Sequence, residues 1–455
     1  MLFAASGTVA VAQSVTASQV TNPTTTISID EAIVRAQKNE PNFASAVAAS
    51  KVATLNRSIA RSALLPSVTY HNQFLYTEGA TATTGSANAS AGTASAGTPR
   101  FIANNAVHEY TSQGVVSETL GLQQVKAVSI ASAQAAVAQA ELEIARRGLV
   151  STVVALYYGN LAADAKVAVA QRAADEAAAF TANTRDRESG REVAHADVVR
   201  AQLQQQQRER DLAEAKLAAA KARLEFAVLL FPDPHTPFAL STPATPQPLP
   251  TREETDAAAS KNNPELRSAM ESLHAASLEV TGARAAYLPD LALNYTYGID
   301  SPELAIHAPD GTRNLGYSAS ATLDIPVWDW FATHNRVKQS VAQRESARVA
   351  LSATQRHLIA ELDEFYDEAK VAQDQLQSLN ASVETARESL RLSHLRYTAG
   401  EGTVLEVVDA QTSLATEENA REDGILRYQN AIANLQILTG QFTAPVSAQV
   451  PLQVK

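Results

Sequence analysis

The sequence predicts an α+β fold in which long antiparallel α-helices carry a few short amphipathic β-strands, the whole unit built twice along the chain. Three observations carry that reading. The chain repeats internally, four short segments alternate apolar with polar residues, and the longest segments space their apolar residues alternately four and three apart.

The repeat sets the domain organisation. Lys38-Asn39-Glu40-Pro41 aligns with Lys261-Asn262-Asn263-Pro264, a shift of 223, and the same shift lays Arg61-Ser62-Ala63-Leu64-Leu65-Pro66 on Arg284-Ala285-Ala286-Tyr287-Leu288-Pro289. Further on, Tyr157 aligns with Tyr366 and Asp197-Val198-Val199 with Glu406-Val407-Val408, both at a shift of 209. The first copy spans 27–231 and the second 251–440, joined by a proline-rich crossover at 232–250 that is unsuited to helix or central strand. Residues 1–26 read as the remnant of an export signal and a disordered N-terminus. Ala10-Val11-Ala12 has the shape of a signal-peptidase site, although no Lys or Arg precedes it. Residues 441–455 read as a tail.

Each copy runs in the same order. A moderate helix, 29–64 and again 253–287, is stopped by Pro66 or Pro289. A first strand follows, near 66–78 and 289–300. Val68, Tyr70, Phe74 and Tyr76 share one face there, as do Leu291, Leu293, Tyr295, Tyr297 and Ile299 in the second copy. A polar loop comes next. In the first copy, 79–105 is almost wholly Ala, Thr, Ser, Gly and Asn and reads as flexible; in the second, Pro309-Asp310-Gly311 marks a turn. The return strands fall near 107–121 and 315–327, with Tyr317, Ala319, Ala321, Leu323 and Ile325 on one side of the latter.

The long helices follow. From Leu358 through Leu362, Phe365, Ala369, Ala372, Leu376, Leu379, Val383 and Ala386 to Leu390 the spacing is that of a coiled-coil seam. The first copy shows a comparable row through Val128, Ala131, Ala135, Ala138, Leu142, Ala145, Leu149, Thr152 and Leu156. A helix over 335–397 would be ~95 Å long at ~1.5 Å per residue. Ser189-Gly190 and Ala399-Gly400-Glu401-Gly402-Thr403 break the two long helices, and a shorter helix returns from each.

Composition excludes several functions. A net charge of -11 leaves no basic face for nucleic acid, and the absence of cysteine removes disulfides and thiolate chemistry. The nine histidines form no metal-binding pair. No nucleophile, Walker or zincin pattern occurs. Gly400-Glu401-Gly402 follows a helix rather than a strand, so it reads as a turn and not a phosphate loop. No enzyme activity, cofactor or metal is therefore expected. No run of ~18 apolar residues provides a transmembrane helix. The four alternating segments are matched to lipid on one face and water on the other. Four strands are too few to close, and an open edge in lipid leaves backbone groups unpaired, so strands would be pooled with copies of the chain. The seam spacing alone also fits a soluble periplasmic coiled-coil scaffold; the paired alternating segments favour the membrane reading.

The doubled pattern resembles the TolC family of outer-membrane efflux proteins over roughly 27–440. The resemblance rests on Asn-x-Pro early in each copy, Leu-Pro before each first strand, Ile325-Pro326-Val327-Trp328-Asp329 after the last strand, and the Val-x-x-Ala-Gln stretches that begin at Val198 and Val407. It implies a homotrimer in the outer membrane of a Gram-negative-type cell, with a twelve-stranded β-barrel continued into the periplasm by an α-helical barrel. It implies a passive exit duct for an efflux pump or type I secretion system, meeting a periplasmic adaptor protein at the helical tips and, through it, an inner-membrane pump. Glu406 and Asp409, three apart on one helix face, would form acidic rings at the aperture. By resemblance, Asp197 and Tyr397 hold the aperture closed through bonds between helices, and Ser189, Gly190, Gly400, Glu401, Gly402 and Thr403 form the adaptor-contact tips. The family's arginine at the position of Gly402 is absent here. Trp328 and Trp330, at the strand-to-helix junction, are expected to anchor at the membrane–water interface.

Overall fold

The computed structural model describes residues 25–76, 108–242 and 248–440. Within them the chain forms β1 (Thr25–Ile27), α1 (Ile29–Asn39), α2 (Pro41–Ser62), β2 (Ser67–Tyr76), β3 (His108–Leu120), α3 (Leu122–Ser189), α4 (His195–Leu230), β4 (Phe238–Leu240), α5 (Arg252–Asn262), α6 (Pro264–Ala285), β5 (Asp290–Ser301), β6 (Leu315–Asp324), α7 (Ala332–Thr398) and α8 (Val404–Thr439). The export-signal stretch up to residue 24, the polar loop at 79–105 and the tail at 441–455 lie outside the described residues.

The single helices expected over 29–64 and 253–287 are each two. Glu40 and Asn263 are extended, with ψ of 117° and 121°, because a following proline disfavours the helical region and has no N–H to continue the ladder. Each proline then starts a new helix, capped by a side chain: Glu40 accepts from Asn42 N at 2.7 Å, and Asn263 accepts from Leu266 N at 2.8 Å. The asparagine before each break has its own task. Asn39 donates to Leu230 O at 2.6 Å and Asn262 to Thr439 O at 3.1 Å. The Asn-x-Pro pair thus ties the end of α1 to the end of α4, and the end of α5 to the end of α8.

The helices form a layer. α3 and α7 run its full length; at 67 residues and ~1.5 Å per residue, α7 measures ~100 Å. Near the strands, α2 packs on α3, α3 on α6 and α6 on α7; farther away, α4 packs on α3, α3 on α8 and α8 on α7. The apolar seam of α7 is its inner face: Leu358, Leu362, Ala369, Ala372, Val383, Ala386 and Leu390 are buried. The row expected on α3 is only part of its packed surface: Ala135 and Leu149 in it are buried and most of the others half-buried. Thr152 is exposed, whereas Val150, Val153, Val154 and Tyr157 are buried. α3 touches α1, α2, α4, α6 and α8, so burial extends around it and no one stripe describes it.

The crossover at 232–250 contains a strand after all. β4 pairs in parallel with β1, Ile27 opposite Leu240. It lies at the edge of a two-stranded sheet, where proline-rich chain is tolerated. The main apolar core forms beneath it, around Ile27, Ile33, Tyr157, Phe226, Leu230 and Phe238. The Tyr157 hydroxyl donates to Ser241 O at 2.5 Å, fastening the crossover to α3.

Arg147 of α3 gathers the ends of two other helices. It donates to Ile437 O at 3.0 Å, to Leu438 O at 3.3 Å and to Asn262 O at 2.8 Å, where terminal carbonyls lack helical partners and a cation is favoured. Arg147→Ala is expected to cost about 2–3 kcal/mol, read as a lower thermal midpoint in detergent with faster amide exchange at the end of α8. An unchanged midpoint would contradict this role.

Candidate functional site

The second sheet has the order β2-β3-β5-β6, antiparallel throughout. Its register sorts the side chains by chemistry. Val68 lies opposite Val116, Val116 opposite Tyr295 and Tyr295 opposite Ala319, so these four share one face. One residue along, Thr69, Val115, Thr296 and Ser318 share the other. The first face carries Tyr70, Phe74, Tyr110, Leu293, Tyr297 and Tyr317, with Asn72, Ser112 and Glu118 as polar exceptions; the second carries His71, Gln73, Thr111, Asn294, Asp300 and Ser320.

The apolar face is bare. Tyr70 is 72% exposed, Val68 74% and Tyr317 76%, and no helix is packed along the sheet. β2 and β6 each have a partner on one side only, which leaves two open edges. Aromatic pairs stiffen this face, with Phe74 and Tyr110 centroids 4.9 Å apart and Tyr295 stacked on Tyr317 at 6.2 Å. No described helix is long and apolar enough to cross a membrane.

The last strand ends at Asp324, short of the expected 327, and Ile325 lies beyond it, because Pro326 cannot donate to a ladder. The junction that follows is tightly bent. Trp330 and Phe331 take φ values of +54° and +64°, a left-handed conformation uncommon for bulky residues. The Trp328 ring centroid lies 5.8 Å from that of Trp330 and 5.3 Å from that of Phe331. All three are exposed. Asp329 accepts from Thr333 N at 2.7 Å and so caps α7.

At the opposite end the hairpins α3–α4 and α7–α8 turn. Gly400 has φ +81°, and Gly402 lies so close beneath α7 that a Cβ there would be 2.9 Å from Tyr397 N. A side chain at 402 would displace that backbone, which explains physically why an arginine cannot simply be read into this position. Ser189, Gly190, Gly400, Glu401 and Thr403 are exposed at the turns, and Gly402 is half-buried. Thr403 caps α8 by accepting from Glu406 N at 3.3 Å.

The four proposed aperture residues are placed differently. Asp409 is exposed and Asp197 half-buried, each near the start of its helix. Glu406 is paired with Arg396 at 2.9 Å. Tyr397 is buried, packed 5.1 Å from the Phe180 ring, and its hydroxyl donates to Thr184 at 3.3 Å. It therefore joins α7 to α3 inside one chain rather than lining open space.

Arg187, which nothing in the sequence pattern singled out, completes that joint. It donates to Tyr397 O at 2.6 Å and stands 4.7 Å over the Tyr397 ring, a charge-assisted bond and a cation–π contact on one residue. No group of three or more side chains suited to a metal ion occurs among the described residues. Arg187→Ala is expected to cost about 1.5–3 kcal/mol of tip stability. The readout is faster hydrogen exchange at 395–403; unaltered exchange there would contradict the joint.

Comparison with known proteins places this arrangement. The family model for "Outer membrane efflux protein" matches residues 257–441. The chain is similar to outer membrane protein OprJ of Pseudomonas aeruginosa, 26% identical over 175 residues, covering 38% of this chain and 36% of that protein. It is similar to protein CyaE of Bordetella pertussis, 28% identical over 221 residues, 48% of this chain and 46% of that one. The matched stretches thus span less than half the length of these curated relatives. In fold, the crystal structure of the Campylobacter jejuni CmeC outer membrane channel superposes with a TM-score of 0.76 at 17% identity, over 90% of this chain and 85% of that one. The chain thus has the fold of solved outer membrane channels such as that one, and its residues 257–441 are similar to the outer membrane efflux protein family.

Proposed function

We propose that the chain is one third of an outer-membrane exit duct, a homotrimer whose three sheets close into a twelve-stranded barrel and whose helices continue it as a tube into the periplasm. The observation that carries this is the uncovered sheet, apolar on one side and polar on the other, with both edges unpaired. In water such a face would be buried under another layer. In lipid it is at home, provided the edges find partners. Closure with copies of the chain satisfies the edges and turns the polar face to a shared lumen; the number three follows the family.

The helical layer is open-edged in the same way. α4 exposes Val199, Leu203, Leu217, Leu224 and Val228, and α7, at the other edge, exposes Val349, Ile359, Val371 and Leu395. Spacings of four and seven on α4 fit a seam against a helix of the next copy. A soluble scaffold gives the two-faced sheet no role.

The duct is passive. A periplasmic adaptor joins it at the tips, at Ser189, Gly190 and 399–403, and an inner-membrane pump delivers the cargo. Untwisting of the α7–α8 hairpins opens the aperture, and Trp328 and Trp330 hold the inner rim of the barrel at the membrane interface. Of the two acidic residues on α8, Asp409 is exposed and, among the described residues, unpaired with a cation, whereas Glu406 is held by Arg396.

Purified protein in planar bilayers tests the reading. A detergent-stable trimer with discrete conductance is expected; a monomer freely soluble in plain buffer and without conductance would overturn it. In the same assay Asp409→Ala is expected to raise conductance or weaken block by multivalent cations more than Glu406→Ala does. No change in the double variant would remove the aperture assignment.

A further inference from the structure

The two hairpins meet along α3 and α8, and charge ties them unevenly. Lys166 reaches Asp423 at 2.5 Å, and nearer the tips Arg172 reaches Glu418 at 3.0 Å. From Glu418 to the tips, among the described residues, no ion pair joins one hairpin to the other. The polar crossings there are hydrogen bonds, those of Arg208 and Gln204 with Thr412 Oγ1 at 2.8 and 3.3 Å and those of Arg187, Thr184 and Tyr397.

Glu418 is unusual among these carboxylates. Its side chain is 8% exposed, and while one oxygen accepts from Arg172 of α3, the other accepts from Arg387 of α7 at 3.2 Å. One buried carboxylate on α8 therefore joins three helices, and loss of a guanidinium would leave its charge desolvated. Two turns nearer the tip on the same face of α8, Gln411 is 5% exposed, and neither its Nε2 nor its Oε1 has a hydrogen-bond partner. Glu418 and Gln411 line one cavity of about 440 Å³ between α3, α7 and α8. A buried amide without partners destabilises the packed state and regains its hydrogen bonds once water reaches it.

We propose that the α7–α8 hairpin pivots against α3 at Glu418, with Arg172 marking the point up to which the hairpins stay joined, and that the orphaned Gln411 amide below it biases the joint toward separation. This rests on the reading that the tips open. The two arginines then have unequal roles. Arg172 crosses between hairpins and resists their parting, whereas Arg387 lies in the same hairpin as Glu418 and travels with it.

Single-channel recording and hydrogen exchange on the full-length protein test the pivot together. Arg172→Gln is expected to raise the open fraction about tenfold, as loss of one charge-assisted hydrogen bond implies, and to speed exchange at 404–417 but not at 424–439. Arg387→Gln should change the open fraction far less. Gln411→Leu, close in volume and without polar atoms, should shift both readouts the opposite way, with fewer openings and slower exchange. Equal effects of the two arginine variants, or a Gln411→Leu protein that opens as readily as the parent, would overturn the pivot. A parent protein with no conductance would instead count against the duct, and the exchange pattern would still decide the pivot.

Discussion

An extended backbone in lipid has nowhere to place its hydrogen bonds except on another strand. That constraint governs this molecule. The four-stranded sheet satisfies its interior strands and leaves one row of N–H and C=O groups open on β2 and another on β6. Each unpaired group in hydrocarbon costs several kcal/mol. The apolar face rules out simple exposure to water, and the open edges rule out a lone sheet in the membrane. Joining edges between copies, as proposed, meets both conditions, and the helical layer, with apolar residues exposed on α4 and α7, would be closed by the same route.

The doubled chain makes this closure economical. Each copy supplies two strands of the four-stranded sheet and a long helix, with three shorter helices beside it. Where the first two of these meet, the Asn-x-Pro motif supplies both a break and a bond: proline ends one helix and begins the next, while Asn39 or Asn262 reaches the carbonyl end of the neighbouring returning helix. Arg147 adds a positive charge where the ends of α5 and α8 converge. The belt that results, covered by β1 and β4, is firmly tied. Toward the tips the ionic ties end at Glu418, and the hairpins are joined by hydrogen bonds, the Arg187–Tyr397 contact and a buried apolar cluster around Phe180 and Val407.

The strands were legible because period-two alternation is imposed directly by the pleat, and Tyr295 and Thr296 fall on opposite faces whatever surrounds them. The α7 seam was legible because α7 buries one stripe. α3 was not, since five helices touch it and its burial follows the assembly rather than its own periodicity. The break before Pro41 and Pro264 was present in the sequence, but the expected helices ran through it; proline at a helix start and proline inside a helix differ only in the conformation of the preceding residue. β4 was hidden by prolines that an edge strand tolerates. In the tip region the spacing put Glu406 and Asp409 one turn apart on α8, but it said nothing of their surroundings. Arg396, which pairs with Glu406, lies ten residues away across a turn, and Arg187 reaches Tyr397 from another hairpin. Long polar side chains carry no periodic signature, so their partners become known only from the fold.

The central claim is that residues alternating along β5 face lipid and water in turn. The chain has no cysteine, so Tyr295→Cys and Thr296→Cys each give a single thiol, one on either face of the sheet. In proteoliposomes a membrane-impermeant maleimide is expected to label Thr296→Cys and spare Tyr295→Cys, while a fluorophore attached at 295 in detergent and then reconstituted is quenched by brominated lipid. Equal labelling of both thiols from water, without lipid quenching at 295, would contradict the account.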